Sequence, residues 1–502
     1  MLASLNRALL DSGEVSAAHS PGQPGPINIL QIGDGNFLRG FTDWMIDVAN
    51  EQGVFSGRVA IAQPLSQGIA QKLNDQQGLF TVLLRGIENG QTVENHRVVS
   101  CVQEGINPHA NWSRMLELAT SQDLRFVISN TTEAGIVDVP EDFTQDRTPT
   151  SFPAQMTALL HARFLRFGGD SQAGLVFLPC ELIEGNGTTL KRIVLLHAQR
   201  WNLGADFVSW LESSNHFFNT LVDRIVPGYP AAEADALCTT FGYADSLLVA
   251  AEPFHLWVIE GPQAFADEFA LHRAGLNVVW TEDMQPHRTR KVRILNGAHT
   301  ASALASFSAG LETVAEMIAD PIVARYLNKL MFDEIVPFVP LPALERESYA
   351  RSIMERFGNR FIRHELISIT LNSVSKWKVR VLPTVKDFAR ANGRAPQLLS
   401  FSLAALLHFY HGQMGANGEF AGVRNGRTYP IKDDATALAV IEAAWKTCDS
   451  KHPHAMVRAV LSDARLWGED LNQVADLASR VGDYLADRKS TRLNSSHRAL
   501  SR

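Results

Sequence analysis

Short apolar runs alternate with segments of helical periodicity through the first part of the chain. The runs have the length and composition of buried strands, and the segments between them repeat apolar positions every three to four residues. Such alternation predicts an α/β fold in which parallel strands joined by helices form a doubly wound sheet of the Rossmann type. Strands are predicted at 27–33 and 58–64, and two further strands, within 124–135 and 173–187, run into polar loops. The predicted helices lie at 37–51, 110–120 and 152–167.

Residues 78–103 follow a different pattern, in which apolar and polar residues alternate at every second position. This period is typical of strands with one buried face. A Glu-Asn-Gly sequence at 88–90 interrupts the alternation, and Asn-Gly favours the tight turn between antiparallel strands. We therefore expect a β-hairpin here.

The pattern changes again at about residue 286, because almost every later segment has helical periodicity and strands are scarce. This part predicts an all-α domain, interrupted by a polar loop at 414–430. A chain of 502 residues is too long for one ordinary hydrophobic core. We expect an N-terminal Rossmann-type domain at 27–285 and a C-terminal helical substrate domain at 286–488.

The last residues, 489–502, differ from everything before them. They are rich in Ser, Arg and Asn and have no periodicity. We predict that they are a non-native tail and exclude them from the fold; a natural disordered tail is the alternative.

Charge and cysteine usage narrow the possible partners. The net charge of −7, with both signs interspersed, argues against nucleic acid or an anionic membrane, because phosphate binding needs clustered Lys and Arg. No apolar stretch approaches the length of a membrane span. The four cysteines are far apart and lack zinc spacing, which favours free thiols in a reducing cytoplasm. We expect a cytoplasmic monomer or weak dimer that acts on a small molecule without a metal.

Each predicted strand ends in small polar residues, and the loop after the first strand reads GDGN. Ligands of doubly wound sheets bind beyond the carboxyl ends of the strands. Gly33 and Gly35 would let the backbone turn tightly and approach a pyrophosphate, whose charge the next helix N-terminus stabilises. Leu38 stands where the full GxGxxG pattern has its third glycine. The order strand, turn, helix, strand still favours a dinucleotide cofactor over a turn without a ligand.

The second strand ends at Gln63 rather than at the Asp or Glu that usually binds the adenosine ribose. Glutamine can hydrogen-bond a ribose hydroxyl, and no arginine follows closely to bind the 2′-phosphate of NADP. We therefore expect NAD as the cofactor, with Gln63 on its ribose.

The stretch KVRILNGAHT at 291–300 combines a lysine, an amide and an imidazole within a predicted helix. At about 100° per residue, Lys291, Asn296 and His299 share one side of that helix. Gly297 is unfavourable inside a helix, so we expect a close backbone or ligand contact there. The stretch lies at the predicted domain junction, where a cleft is expected. The alternative is an exposed lysine, a capping asparagine and a core histidine.

These three side chains suit the oxidation of a secondary alcohol by a nicotinamide. The hydroxyl proton needs a base, and a lysine serves if partial burial brings its pKa toward neutrality. Amide donors can hold the developing oxyanion, and Asn186 in the loop EGNG could join Asn296 in this role. A plain Asn-Gly turn is an equal alternative for Asn186. The chain has no complete HExxH, GxSxG or Walker motif, which argues against zinc proteolysis, nucleophilic hydrolysis and phosphoryl transfer.

Six segments, in their order and spacing, resemble the long-chain polyol-specific dehydrogenases and reductases, the family of the mannitol dehydrogenases. They are GDGNFLRGFTDW, SNTTEAGI, PCELIEGNG, LVDRIVPGYP, KVRILNGAHT and SKWKVRVLP. The resemblance covers about 27–450, and its K-x4-N-x2-H motif is specific. It implies a metal-independent, NAD(P)-dependent oxidoreductase with Lys291 as general acid/base. It also implies that Asn186 and Asn296 polarise the carbonyl and that His299 orients the substrate.

The binding residues are assigned partly by this resemblance and partly by the strand-end loops. Lys376 matches a basic residue that polyol-specific members place near the substrate. Together with Arg363 it is our predicted substrate-binding pair, while Lys378 and Arg380 are further candidates for a substrate carboxylate. The predicted cofactor-binding residues are Gly33, Asp34, Gly35, Asn36, Phe37, Leu38, Arg39, Gln63, Thr131 and Glu133.

Several segments, including QIGDGNFLRGF and RNGRTYPIKDD, are most similar to the branch of the family that acts on tagaturonate. The resemblance therefore implies the reversible, NAD-dependent reduction of D-tagaturonate to D-altronate. Reduction of fructuronate, or of fructose as in mannitol 2-dehydrogenases, is the alternative with the same mechanism. A remote alternative is an NAD- and metal-dependent glycoside hydrolase, for which Cys180 lacks an evident histidine partner. A non-catalytic dinucleotide sensor is equally remote.

Overall fold

The computed structural model describes residues 2–12, 24–132, 134–144, 147–415, 419–449 and 452–487. These residues form two compact units. The N-terminal unit holds the described residues up to Gly86 and Thr92–Met284, and the C-terminal unit holds Ile87–Gln91 and those from Gln285 onward. Glu133 and the tail at 489–502 lie outside the described residues.

The strands of the N-terminal unit include short buried ones and the two longer strands of the hairpin, with nine residues each. They are β1 Ile29–Ile32, β2 Val59–Ala62, β3 Phe80–Glu88, β4 Gln91–Val99, β5 Val102–Ile106, β6 Phe126–Ser129, β7 Val176–Pro179, β8 His216–Phe217, β9 Asn219–Asp223, β10 Val249–Ala251, β11 Leu256–Glu260 and β12 Val278–Thr281.

The helices of this unit connect and flank the strands. They are α1 Arg7–Asp11, α2 Asn36–Leu38, α3 Trp44–Glu51, α4 Ala70–Asp75, α5 Trp112–Ala119, α6 Phe152–Phe167, α7 Asn186–Arg200, α8 Ala205–Ser214, α9 Ala234–Phe241 and α10 Gln263–Glu268. A π-helical turn at Arg39–Asp43 joins α2 to α3, and short 3₁₀ turns lie at Ser171–Ala173 and Leu271–Ala274.

The central sheet has six strands in the order β5-β2-β1-β6-β7-β8, and every neighbouring pair is parallel. Within this sheet the sequence order of the strands is 3-2-1-4-5-6, which is the arrangement of a dinucleotide-binding Rossmann fold. The order reverses between β1 and β6, so a ligand crevice is expected beyond the carboxyl ends of these two strands. The predicted doubly wound sheet is confirmed.

Apolar residues fill both faces of this sheet. Neighbouring residues of a strand point to opposite faces, and in β1 Ile29 packs into one core cluster while Leu30 packs into the other. Phe41 joins the cluster of Ile29, and Leu159 of α6 joins that of Leu30. Burial on both faces explains why these strands appear in the sequence as continuous apolar runs.

The predicted hairpin at 78–103 is formed by β3 and β4, which pair in a three-stranded sheet with β10. Asn89 and Gly90 make the turn with φ of 52° and 74°, and positive φ at both central residues matches a type I′ turn. The hairpin tip belongs to the C-terminal unit, where the N–H of Gly90 donates a 2.9 Å hydrogen bond to the carboxylate of Glu355. A further three-stranded sheet, β12-β11-β9, completes the N-terminal unit.

The C-terminal unit is predominantly helical, as predicted. Its helices are α11 Gln285–Arg290, α12 Gly297–Ser308, α13 Val314–Ala319, α14 Pro321–Lys329, α15 Ala343–Phe357, α16 Leu366–Ile369, α17 Ser373–Arg380, α18 Leu382–Asn392, α19 Gln397–Phe409, α20 Ala435–Lys446, α21 His454–Leu461, α22 Ala464–Trp467 and α23 Leu477–Ala486. π-helical turns lie at Lys291–Asn296 and Leu330–Ile335, and 3₁₀ turns at Val336–Phe338 and Leu471–Gln473.

The region expected to be a loop, 414–430, contributes to a small antiparallel sheet, which the all-α prediction missed. Its strands are β13 Gly412–Met414, β14 Phe420–Arg424 and β15 Arg427–Pro430. Asn425 and Gly426, with φ of 51° and 77°, join the last two strands. The Asn-Gly pair is the same hairpin signal as in β3–β4, but the strands beside it are too short and polar to show a clear alternation.

Asp43 is a carboxyl group in the core of the N-terminal unit, at the end of the first π-helical turn. Its Oδ2 accepts a 3.2 Å hydrogen bond from Gln31, whereas its Oδ1 has no partner in the described part of the chain. Burial raises the pKa of Asp43 from 3.8 to about 7. The folded protein therefore keeps this proton over a pH range in which the unfolded chain has lost it.

We expect the substitution Asp43→Asn to flatten the pH dependence of stability. Since the folded-state pKa is raised, the contribution of Asp43 to the free energy of unfolding falls as pH rises from about 4 to about 7. Between pH 5 and pH 8 this loss is on the order of 2.5 kcal/mol, and a neutral amide removes it. Urea denaturation at the two pH values measures the difference. Asp75→Asn, at an exposed position, is the control, and an equal pH dependence of Asp43→Asn and wild type would contradict the prediction.

Candidate functional site

The loop after β1 starts at Gly33, whose φ of 131° is favourable only for glycine. A Cβ atom at this position would lie 2.8 Å from the carbonyl oxygen of Asn130, the residue that follows β6. The absence of a side chain thus lets the ends of β1 and β6 approach each other where the strand order reverses. This is the tight turn that the sequence pattern predicts.

Gly35 differs from Gly33, because its φ is −68° and a Cβ atom added there would meet no atom within 4 Å. It is exposed and precedes a helix that continues from Asn36 to Glu51 through the π-helical turn. The first backbone N–H groups of a helix have no partner within the helix and favour an anion. Open space at a glycine beside such a helix start fits the pyrophosphate of a dinucleotide.

Arg39 stabilises the loop after β1, residues 33–36, which we call the cofactor loop. Its guanidinium is buried, with Nη2 donating to Oδ1 of Asn36 at 2.7 Å and Nε donating to the carbonyl of Asp34 at 3.3 Å. Nη1 donates to the carbonyl of Leu247. Burial lowers the pKa of Arg39 to about 10. Because these bonds all go to the protein, Arg39 fixes the shape of the loop rather than presenting a charge to a phosphate.

The other residues of the loop also have structural partners. The Asp34 carboxylate accepts a 2.8 Å hydrogen bond from the N–H of Ile69 and so connects the loop to the start of α4. Phe37 stacks on Phe41 with ring centroids 4.9 Å apart, and Leu38 is 1% exposed. Leu38 occupies the place of the third glycine and packs its side chain into the core instead.

Gln63 has a role different from the ribose contact expected from the sequence. Its side chain is buried, and Nε2 donates to the carbonyls of Leu65 and Ser66 at 2.9 and 3.1 Å. Oε1 accepts from the N–H of Ala70 at 3.2 Å. With both ends of the amide engaged, Gln63 shapes the loop that follows β2, and a direct ribose contact is not supported.

Thr131 lies in the loop after β6 and is anchored by a residue that the sequence reasoning missed, Glu181. One carboxylate oxygen of Glu181 accepts hydrogen bonds of 2.9 Å from both the N–H and the hydroxyl of Thr131. The other oxygen accepts a 3.1 Å bond from Ser129. Burial raises the pKa of Glu181. The position of Glu181 directly after a predicted strand was the available signal, because a buried carboxylate usually accepts hydrogen bonds from neighbouring groups.

Asn186, at the start of α7, is buried and fully hydrogen-bonded within the N-terminal unit. Its Nδ2 donates to the carbonyls of Pro179, Glu181 and Thr220 at 2.9, 3.1 and 3.2 Å. Its Oδ1 accepts from the N–H groups of Gly187 and Thr220 at 2.9 Å each. The amide thus joins the end of β7 to β9, and this arrangement favours a structural role over the predicted contact with the substrate carbonyl.

The stretch KVRILNGAHT forms the middle of one continuous helix, from Gln285 to Ser308, in which Lys291–Asn296 is a π-helical turn. In such a turn hydrogen bonds join residues five apart, and isolated π turns are frequent at functional sites. The spacing of 100° per residue therefore does not hold between Lys291 and Asn296. Because the two residues are five apart, the wider turn brings Asn296 closer to the side of Lys291 than an α-helix would.

Gly297 follows the π-helical turn and meets another helix. Its φ is −65°, which any residue adopts, but a Cβ atom would lie 3.1 Å from the carbonyl oxygen of Arg380 at the end of α17. The expected close backbone contact is therefore confirmed. Gly297 lets α17 approach the helix that carries Lys291.

His299 packs against aromatic side chains of the C-terminal unit. Its ring stacks on Phe357 with centroids 4.1 Å apart and planes 7° apart. His364 meets it edge-on at 5.2 Å, and burial lowers the pKa of His364. This packing fixes the plane of the imidazole, which a residue that orients a substrate requires.

Asn296 differs from Asn186 in what its amide contacts. It is half-buried, and its side chain makes no hydrogen bond to any residue that the structure describes. Lys291 is also half-buried on the same helix. Of the two predicted amides, only that of Asn296 retains its hydrogen-bonding capacity for a ligand.

The predicted substrate cations occupy different environments. The Arg363 side chain is 76% exposed and pairs with Glu365 at 3.1 Å. Lys376 is half-buried and donates a 3.0 Å hydrogen bond to the carbonyl of Ile369. Burial lowers the pKa of Lys376, and the neighbouring charge of Arg380 lowers it further. The exposed, paired Arg363 has no feature of a binding residue, which makes its predicted role the weaker of the two.

Within the described ranges, no group of three or more His, Cys, Asp or Glu side chains has the arrangement of a metal site. Among the same residues, no helix has the length and apolar character needed to cross a bilayer.

Models of known protein families match almost the whole folded part of the chain. The mannitol dehydrogenase Rossmann domain matches residues 27–273. The mannitol dehydrogenase C-terminal domain matches residues 283–489.

Curated relatives extend over nearly the whole chain. The altronate oxidoreductase of Bacillus subtilis is 42% identical over 460 residues, which is 92% of each chain. The altronate oxidoreductase of Halalkalibacterium halodurans is 41% identical over 463 residues, covering 92% of this chain and 90% of its own.

Among solved structures, mannitol 2-dehydrogenase of Pseudomonas fluorescens, in a ternary complex with NAD and D-mannitol, has the same fold. It is 20% identical, covers 99% of both chains and superposes with a TM-score of 0.65. The matched Rossmann domain model and the 3-2-1-4-5-6 sheet indicate the same fold for the N-terminal unit. The chain belongs to the mannitol dehydrogenase family.

Proposed function

We propose that this protein is an NAD-dependent oxidoreductase that interconverts D-altronate and D-tagaturonate. The observation that carries the proposal is the identity of 41–42% to altronate oxidoreductases over more than nine-tenths of the chain. The amide of Asn296, which makes no hydrogen bond to the described residues and lies on the same helix as Lys291, supplies the chemistry that the reaction needs.

NAD fits the loop after β1. Gly33 turns the backbone, Gly35 leaves room for the pyrophosphate, and the N–H groups at the start of α2 are available to its charge. Arg39 and Asp34 hold this loop in place from the protein side. When bound, NAD supplies or accepts the hydride.

Lys291 moves the proton. Oxidation of altronate removes the proton of a secondary hydroxyl, and reduction of tagaturonate returns it to the carbonyl oxygen. A lysine Nζ can do both, because its ammonium donates and its amine accepts. Asn296 donates its amide N–H to the same oxygen and stabilises the negative charge that develops there. His299, fixed by its stack on Phe357, orients the substrate hydroxyls.

Asn186 and Glu181 support the site indirectly, because their side chains hold backbone segments in place. Asn186 holds the end of β7 against β9, and Glu181 holds the loop of Thr131. Both are positioning residues, since their polar atoms are engaged within the protein. The four cysteines are free thiols, which fits the expected cytoplasmic location.

The proposal predicts a defined substrate preference. The purified protein, in the presence of EDTA, is offered NADH or NADPH together with tagaturonate, fructuronate or fructose. We expect NADH oxidation with tagaturonate at a kcat/KM at least about 100-fold above that for the neutral ketose, because a site built for a charged group rejects an analogue that lacks it. Preference for fructuronate or fructose would assign the chain to a different member of the family. Loss of activity on chelation would contradict a metal-independent mechanism.

A further inference from the structure

Arg380 is a half-buried arginine with few partners among the described residues. It is the last residue of α17, and to that part of the chain its side chain makes one long hydrogen bond, from Nη1 to Oγ1 of Thr300 at 3.4 Å. No carboxylate of the described residues lies within ion-pair distance of it, and burial alone lowers its pKa. A guanidinium carries five N–H donors and stays protonated, so a half-buried one with a single weak bond has capacity for an anion.

The position of Arg380 relates it to the catalytic helix. Thr300 lies four residues after Asn296 in α12, and residues four apart share one face of an α-helix. The carbonyl of Arg380 also contacts Gly297, which lies between them. We name the side formed by Lys291, Asn296 and Thr300 the Lys291 face. The Arg380 guanidinium lies on this face, one helical turn beyond Asn296.

This spacing suits a six-carbon keto acid. Four residues of α-helix rise about 6 Å. In tagaturonate the carboxylate is separated from the ketone carbon by four carbon–carbon bonds, which in an extended chain span a comparable length. A ketone at the amide of Asn296 therefore places the carboxylate near Arg380.

The other three basic candidates are less suitable than Arg380 for binding a substrate carboxylate. Arg363 is exposed and already paired with Glu365. Lys376 donates to the carbonyl of Ile369 and has Asp433 among its neighbouring charges. The Lys378 side chain lies near Gly468, the residue that follows α22. A Cβ atom added to Gly468 would lie 3.1 Å from the Nζ of Lys378. Arg380 alone of the four combines half burial, a contact with α12 and no acidic partner among the described residues.

We propose that Arg380 binds the carboxylate of the sugar-acid substrate and so decides the preference for acids over neutral ketoses. The planar guanidinium can donate two parallel hydrogen bonds to a carboxylate, which a neutral hydroxymethyl group cannot accept with the same strength. Thr300 keeps the guanidinium on the Lys291 face through Nη1 and leaves its remaining donors to the substrate. This inference rests on the proposed function and adds to it the residue that selects the substrate class.

The test compares tagaturonate with D-tagatose, in which the carboxylate is replaced by a neutral hydroxymethyl group. For Arg380→Ala we expect kcat/KM for tagaturonate to fall about 100-fold, mainly through KM, while the value for tagatose stays within about threefold. Arg380→Lys keeps the charge but loses the paired donors, so we expect a fall of about tenfold. Addition of guanidinium ions should partly restore tagaturonate reduction by Arg380→Ala.

Two control variants and one melting curve separate the possible outcomes. Arg351→Ala, at an exposed position of the same unit, should leave kcat/KM for both substrates unchanged, and thermal unfolding should show that Arg380→Ala is folded. An equal loss with both substrates would overturn the proposal, because it would mean that Arg380 supports the helix packing only. An acid-specific loss in Lys376→Ala but not in Arg380→Ala would assign the carboxylate to Lys376 instead.

Failure of the proposed function is recognised independently, from the wild-type protein. If wild type reduces none of the keto acids, the proposed function is wrong, and binding calorimetry with altronate decides the role of Arg380. Binding that is measurable in wild type and lost in Arg380→Ala would support it. No binding in wild type, or equal binding in both proteins, would overturn it.

Discussion

Lys291→Ala is expected to reduce kcat for tagaturonate reduction by about 10³-fold, the middle of the range for loss of a general acid/base. The variant loses the group that delivers the proton to the carbonyl oxygen, while Asn296 and the cofactor loop stay in place. Lys291→Arg should be almost as inactive, because a guanidinium does not release its proton. Steady-state kinetics with NADH measures both effects, and added methylamine should partly restore Lys291→Ala.

The matched control for Lys291 is Lys329→Ala, an exposed lysine at the end of α14 in the same unit. Its removal should leave kcat and KM unchanged. Activity of Lys291→Ala within about tenfold of wild type would rule out a lysine-assisted mechanism. NADH binding by Lys291→Ala, followed by fluorescence titration, should remain at the wild-type level, since the lysine has no part in the cofactor loop.

Gly33→Ala is the second substitution with a large expected effect. Alanine at φ of 131° is strained by about 1–3 kcal/mol. Its Cβ would also lie 2.8 Å from the carbonyl oxygen of Asn130. To relieve the contact, the ends of β1 and β6 must separate, and the loop between them changes shape. We expect a lower thermal midpoint and an NADH dissociation constant raised by at least about tenfold, in proportion to this strain.

Gly35→Ala provides the contrasting measurement two residues away. Alanine adopts φ of −68° without strain, and its Cβ meets no atom within 4 Å, so the thermal midpoint should not change. NADH affinity should fall nevertheless, because the methyl group enters the space assigned to the pyrophosphate. Unchanged affinity in Gly35→Ala would place the pyrophosphate elsewhere, and unchanged stability in Gly33→Ala would contradict the role of the Asn130 contact.

Elements with strong periodicity could be predicted closely from the sequence. The helix expected at 152–167 runs from Phe152 to Phe167, and the hairpin turns at Asn89 and Gly90 as its Asn-Gly pair indicates. Both depend on local rules, namely helical periodicity and positive φ in a two-residue turn. The parallel, doubly wound character of the sheet followed from the alternation of strands and helices along the chain, whereas its strand order was not predicted.

The direction of polar side chains could not be predicted in the same way. Gln63 and Asn186 have the residue types and strand-end positions of ligand-binding groups, yet both amides are engaged by backbone groups around them. The partners of Asn186, at Pro179 and Thr220, are distant in sequence. No local pattern reveals that two carbonyls from different strands will meet one amide. For the same reason the sequence did not reveal the role of Glu181, whose carboxylate accepts hydrogen bonds from Ser129 and Thr131.

The π-helical turn at Lys291–Asn296 could not be predicted from a helical wheel either, because its residue composition is that of an α-helix. Its presence limits how the length of this segment can vary. A one-residue deletion within it would restore α-helical hydrogen bonding and rotate Lys291 by about 100° relative to Asn296 and Thr300. Insertions would have a comparable effect, whereas exposed loops of the same protein can change length freely. The ten residues KVRILNGAHT are therefore constrained in their number as well as in their identity.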